Sequence, residues 1–95
     1  MTVRFEWDSR KAASNLRRHG VSFEEAVSVF SDALARIFDD EDHPGEEQRE
    51  IIIGHSTRER LLLVSFTQRE GAIRIISARK ATRHERKDYE EGVRE

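Results

Sequence analysis

Four arginines enter or leave apolar, strand-like runs of this chain: Arg49, Arg60, Arg74 and Arg79. An arginine within a strand is costly to bury alone, so each needs a carboxylate, a bound anion or a solvent-facing sheet surface. Glu46, Glu47 and Glu50 stand beside the first of them. Such a cluster suits phosphoryl transfer. Guanidinium forks bind phosphate through paired hydrogen bonds and stabilise the extra charge of a pentacovalent transition state. RNA carries its own nucleophile, the 2′-hydroxyl. Its cleavage needs a base, an acid for the leaving 5′-oxygen and cations on the phosphate, and in principle no metal. Glu47, His19, His43 and His55 are the proton-transfer candidates, with Lys11 and the arginines as cationic stabilisers. The competing reading of each arginine is an ordinary wet sheet face.

The net charge of −2 argues against a nucleic-acid partner only if charge is evenly spread. It is not. Asp39 to Glu50 holds seven acids and one base, whereas Arg58 to Lys87 holds nine bases and three acids. Local arrangement sets the field, so the second segment can hold phosphates despite the overall sum. Other chemistries fit less well. The acidic run before Glu47 fails the calcium-loop spacing, because Pro44 and His43 fall where ligands and the turn glycine belong. No His-x-x-x-His pair suggests zinc, no glycine-rich nucleotide loop occurs, and no serine has a nucleophile-elbow context. No metal or cofactor is expected. The chain has no cysteine, no apolar run near the roughly 20 residues a bilayer requires, and no secretory signal pattern. A cytoplasmic location without membrane contact is the expectation.

The elements that must position these residues follow from patterning. Ninety-five residues suit one domain, 1–95. Val3 to Trp7 alternates as a short strand. Asp8 and Ser9 are N-cap residues for a helix to His19, which Gly20 stops and whose last turn is basic. Ser22 and Glu25 form a capping box for a second helix, with Phe23, Ala26, Val27 and Phe30 on one apolar stripe and Val21 as a staple against Ala26. Leu34 to Phe38 reads as a short strand. Three longer strands follow, at Gln48 to Gly54, Leu61 to Thr67 and Ala72 to Ala78, joined by short polar links that suit antiparallel hairpins. Thr82 and Glu85 box a last helix from Arg83 to Glu91. The expected fold is α+β: a small antiparallel sheet of about four strands plus a short N-terminal strand, two N-terminal helices and one C-terminal helix, with the helices largely on one face.

Strict alternation makes a geometric demand. Arg74, Ile76 and Ala78 share one face of a regular strand, and Ile73, Ile75, Ser77 and Arg79 share the other. Arg74 and Arg79 can serve one site only if that strand twists, bulges or ends early. On the C-terminal helix, Arg83, His84, Arg86 and Lys87 read as a solvated face and Tyr89 as a packing residue.

Phe5-Glu6-Trp7-Asp8, Lys11-Ala12 with Asn15, and His19-Gly20-Val21-Ser22-Phe23-Glu24-Glu25-Ala26 resemble the opening of the BrnT family of toxins. Glu47-Gln48-Arg49, Ile53-Gly54-His55-Ser56, Arg60-Leu61-Leu62, Arg74 to Arg79, and Ala81-Thr82-Arg83 with Glu85-Arg86 and Tyr89 resemble its remainder. Pro44 and Gln48 depart from the family's usual serine and glutamate. The resemblance implies a RelE-like fold and a type II toxin–antitoxin system. In such a system the toxin is a metal-independent endoribonuclease that inhibits translation. A BrnA-type ribbon-helix-helix antitoxin holds it inactive, and it meets operator DNA only through the antitoxin complex. Glu47, Arg49, Arg60, Arg74 and Arg79 are the implied catalytic positions, with Lys11 and His19 contacting RNA. The alternative from a different class is a non-catalytic module whose basic sheet face docks an acidic protein.

Overall fold

The computed structural model describes residues 3–40 and 48–94. Its elements run β1 (Arg4–Glu6), α1 (Ser9–His19), α2 (Phe23–Ser28) continuing as a 3₁₀ turn (Val29–Ser31), β2 (Arg36–Asp39), β3 (Glu50–His55), β4 (Leu61–Arg69), β5 (Ala72–Lys80) and α3 (Arg83–Arg94). The five strands form one sheet in the order β1-β5-β4-β3-β2. Strands β2 to β5 make the antiparallel meander that the short links require, whereas β1 lies parallel to β5, so the sheet is mixed. No helix among the described residues is long and apolar enough to cross a membrane.

Local chemistry accounts for the helix ends. The Asp8 carboxylate accepts from the backbone N–H of Arg10 and Lys11, and Gly20 closes α1 in the left-handed conformation. At α3 the predicted capping box is complete. Thr82 Oγ1 accepts from Glu85 N–H, and the Glu85 carboxylate accepts from Thr82 N–H. At α2 only half of the box forms. Ser22 Oγ accepts from Glu25 N–H at 3.0 Å, but the Glu25 carboxylate is drawn elsewhere.

Helices α1 and α2 cover one face of the sheet. There Val21, Phe23, Ala26 and Val29 pack on Ile52, Leu62, Val64, Phe66, Ile75 and Ala78, all essentially closed to solvent. This burial is the main source of stability, since fully covering one such side chain stabilises by roughly 1.5–3 kcal/mol. Asn15 ties α1 to the sheet. Its side-chain amide donates to Val21 O and Ala78 O, and its oxygen accepts from Ala78 N–H at 3.1 Å. It thereby completes the part of the β5 edge that three-residue β1 is too short to pair.

Two of the three helices share that face, in line with the expectation that the helices lie largely on one side, and the third is the exception. It crosses to the opposite side, where Tyr89 packs with Ile53 and Leu61 and against Leu63 and Ala81. Ile53, Leu61 and Leu63 are the odd-numbered partners of the core residues Ile52 and Leu62, so alternation sends them outward and one apolar end of that face needs a cover.

Candidate active site

The register of β5 decides which arginines meet. Ser65 on β4 pairs with Ser77, yet the next residue, Phe66, pairs with Ile75. Ile76 is therefore an extra residue, a β-bulge, and the alternation of β5 reverses across it. Ile73, Ile75 and Ala78 all point into the helix-covered core. Arg74, Ser77 and Arg79 consequently share the other face, which corrects the split that a regular strand imposes. The bulge unites the two arginines.

That second face carries two adjoining hollows. The smaller, about 220 Å³, is lined by Asp40, Arg49, Ile51, Leu63, Ser65, Ser77 and Arg79. The larger, about 460 Å³, lies toward α3 and includes Arg36, Phe38, Arg79, Glu85 and Tyr89. Ile51, Leu63 and Arg79 line both, so the hollows adjoin. Arg79 stands at the junction, gripped by the Glu85 carboxylate through hydrogen bonds of 2.8 and 2.9 Å. The Arg79 guanidinium beside Glu85 holds that carboxyl far below its usual range, at about 2. Arg49 lines the smaller hollow and makes no ion pair with another described residue.

The other predicted residues are placed differently. Arg74 lies on this face but is paired with Glu6, its neighbour on β1, at 2.9 Å. It is registered with Thr67, whose hydroxyl donates to Gln48 O. Arg74 and Arg49 therefore sit about two strand widths apart, ~10 Å. Arg60 does not join the group. Its guanidinium forks onto Glu25, with Nε to Oε2 at 2.9 Å and Nη2 on Oε1, and Nη2 also donates to Gly20 O at 3.0 Å. Ser56 Oγ donates to the same carboxylate at 2.7 Å, and the Glu25 side chain is only 4% exposed. The hydrogen-bonded Arg60 holds Glu25 below the ordinary carboxylate range, against the opposing effect of burial. This clamp joins α2 to the β3–β4 turn and to the end of α1. Arg60 thus holds the fold together from outside the hollows.

Lys11 and His19 belong to α1, on the helix-covered side, and line neither hollow. Glu46, Glu47 and His43 lie outside the described residues. His55 ends β3 on the arginine-bearing face, opposite Leu61. Its Nδ1 is 3.7 Å from Asp32 Oδ2, and its ring meets Tyr89 edge-on at 5.6 Å. Burial would raise the Asp32 pKa, but hydrogen bonds from the His55 and Leu34 N–H groups outweigh it and keep the group ionised. Sequence reasoning missed Glu85 and Phe38 as lining residues. The available signal for Glu85 was its position six residues after Arg79, across a turn.

Comparison with known proteins agrees with this architecture. The family model of the ribonuclease toxin BrnT of type II toxin–antitoxin systems matches residues 7–85. The 1.1 Å crystal structure of the Brucella abortus ribonuclease toxin BrnT superposes with a TM-score of 0.66 at 26% identity, covering 86% of this chain and 100% of that one. No curated protein matches. The chain belongs to the BrnT family of ribonuclease toxins of type II toxin–antitoxin systems.

Proposed function

We propose that the chain is a metal-independent endoribonuclease that cleaves RNA, inhibits translation in the cytoplasm and is neutralised by a BrnA-type ribbon-helix-helix antitoxin. Contact with operator DNA comes only through that complex. The observation that carries the catalytic part is the hollow that Arg49, Ser77 and Arg79 line together, on the face to which the Ile76 bulge also brings Arg74. A phosphodiester entering there displaces Glu85 from Arg79 and receives two guanidinium groups. Their charge counts most as the phosphorane forms, because they are already in place when the negative charge develops.

The attacking group is the substrate's own 2′-hydroxyl, and the leaving group is the 5′-oxygen. Glu47 enters as base through its sequence position, two residues before Arg49. His55, at the end of the same face and 3.7 Å from Asp32, is a described imidazole that can serve as the proton-transfer partner. Arg74 extends the cationic surface toward β1. Arg60 is withdrawn from the catalytic set, and Lys11 and His19 from the substrate contacts.

The test uses purified protein and two oligonucleotides of one sequence, in EDTA: an RNA, and the same strand with 2′-deoxy sugars. Cleavage of the RNA alone, with 2′,3′-cyclic phosphate ends, is expected. Intact RNA in EDTA, or cleavage of both strands, overturns the mechanism.

A further inference from the structure

Beside the phosphate hollow, the same face presents an aromatic ring that the core does not use. Phe38 lies opposite Ile51 across the β2–β3 pair and is 48% exposed. Alternation sends it to the arginine-bearing side, where it lines the larger hollow with Arg36 and Arg79. The Arg36 guanidinium lies over Gly92 of α3, where any Cβ would collide with it. A larger residue at 92 would push that guanidinium aside. An open ring in a hollow that two arginines also line is the arrangement that single-stranded nucleic acid uses, with bases stacking on the ring and phosphates meeting the cations. Because the two hollows share Ile51, Leu63 and Arg79, a nucleoside next to a phosphate held in the smaller one can reach Phe38 in the larger.

We infer that the larger hollow is a subsite for one unpaired RNA base next to the scissile phosphate, with Phe38 as its stacking surface and Arg36 as the contact for the following phosphate. The inference rests on the ribonuclease reading and deepens it. Every base has a π-face, so Phe38 contributes affinity and holds the backbone in place without specifying which base binds.

The test measures fluorescence anisotropy with a 2′-O-methyl oligoribonucleotide, which cannot be cleaved, and with versions carrying one abasic position scanned along it. Wild type is expected to lose about tenfold in affinity or more at one abasic position. Phe38→Ala should lose a similar factor on the intact strand and nothing further at that position, because the two changes remove the same contact. Phe38→Tyr should bind as wild type does. Unchanged affinity for Phe38→Ala, or losses that add at every abasic position, overturns the subsite. So does a Phe38→Ala variant that binds RNA normally but escapes its antitoxin, which would assign the ring to protein docking. The two readings fail separately. Wild type that binds the oligonucleotide yet leaves natural RNA intact defeats the ribonuclease reading alone. Wild type that cleaves RNA no better than Phe38→Ala defeats the subsite alone.

Discussion

Arg60 and Arg79 are each held by a glutamate through a two-pronged hydrogen bond, and they sit on opposite sides of the same sheet. Around Arg60 the partner is buried, shares its charge with Ser56 and closes a joint between three elements. Around Arg79 the partner stands at the start of an outer helix, 28% exposed, in a hollow that a ligand can enter. A buried carboxylate cannot release its cation without a large desolvation cost, whereas a half-wet one can exchange it for phosphate. The same pair of side chains is therefore architecture in one place and a site in waiting in the other. Burial of the acid makes the difference.

The sharpest way to break this comparison is Arg60→Ala. It strands the Glu25 carboxylate in the core, and a destabilisation of about 3–5 kcal/mol is expected in urea unfolding. A variant with near-native stability would remove Arg60 from the structural class. Arg49→Ala and Arg79→Ala should instead slow RNA cleavage by about 100- to 1000-fold, with a stability change of about 1 kcal/mol or less. Circular dichroism should show both folded, and unimpaired cleavage would empty the proposed hollow of its role.

Gly54→Ala probes the seam between the faces. A Cβ there meets Ala35 Cβ at 2.8 Å and Asp32 Oδ2 at 3.0 Å, so a loss of about 1–3 kcal/mol is expected in thermal melts. The smallest effect is in acid. Glu85 has its folded pKa lowered to about 2 from 4.5, so its contribution is full above about 4.5 and disappears as pH falls toward 2. Discounted for exposure it is about 1 kcal/mol. Glu85→Gln should lower stability at neutral pH and flatten this part of the acid titration. An unchanged titration would mean that the Arg79–Glu85 pair is not formed in solution.

Much of the frame was legible in the residues. Asp8, Gly20, Ser22 and Thr82 mark helix ends by local hydrogen-bonding chemistry, and short polar links enforce hairpins. The pairing of Arg60 with Glu25 was not legible, because 35 residues separate them and the capping-box pattern offered Glu25 a nearer partner. Tyr89 was correctly read as a packing residue, but the side of the sheet on which α3 packs depends on tertiary contacts that no local pattern encodes. The bulge lies between these extremes. Polar residues at 74, 77 and 79, against apolar ones at 73, 75, 76 and 78, break period two at the Ile75-Ile76 doublet. That doublet is the trace of the inserted residue, and reading it puts Arg74 and Arg79 on one face without a structure.

The most direct measurement of the central claim is the RNA-cleavage rate per folded molecule of Arg60→Lys beside that of Arg79→Lys. Lysine keeps the charge and loses the planar fork, so it separates neutralising a glutamate from gripping a phosphate. Arg60→Lys is predicted to be less stable but to cleave at the wild-type rate per folded molecule, while Arg79→Lys is folded and slowed at least tenfold. Normal cleavage by Arg79→Lys together with a slow, fully folded Arg60→Lys would contradict the account.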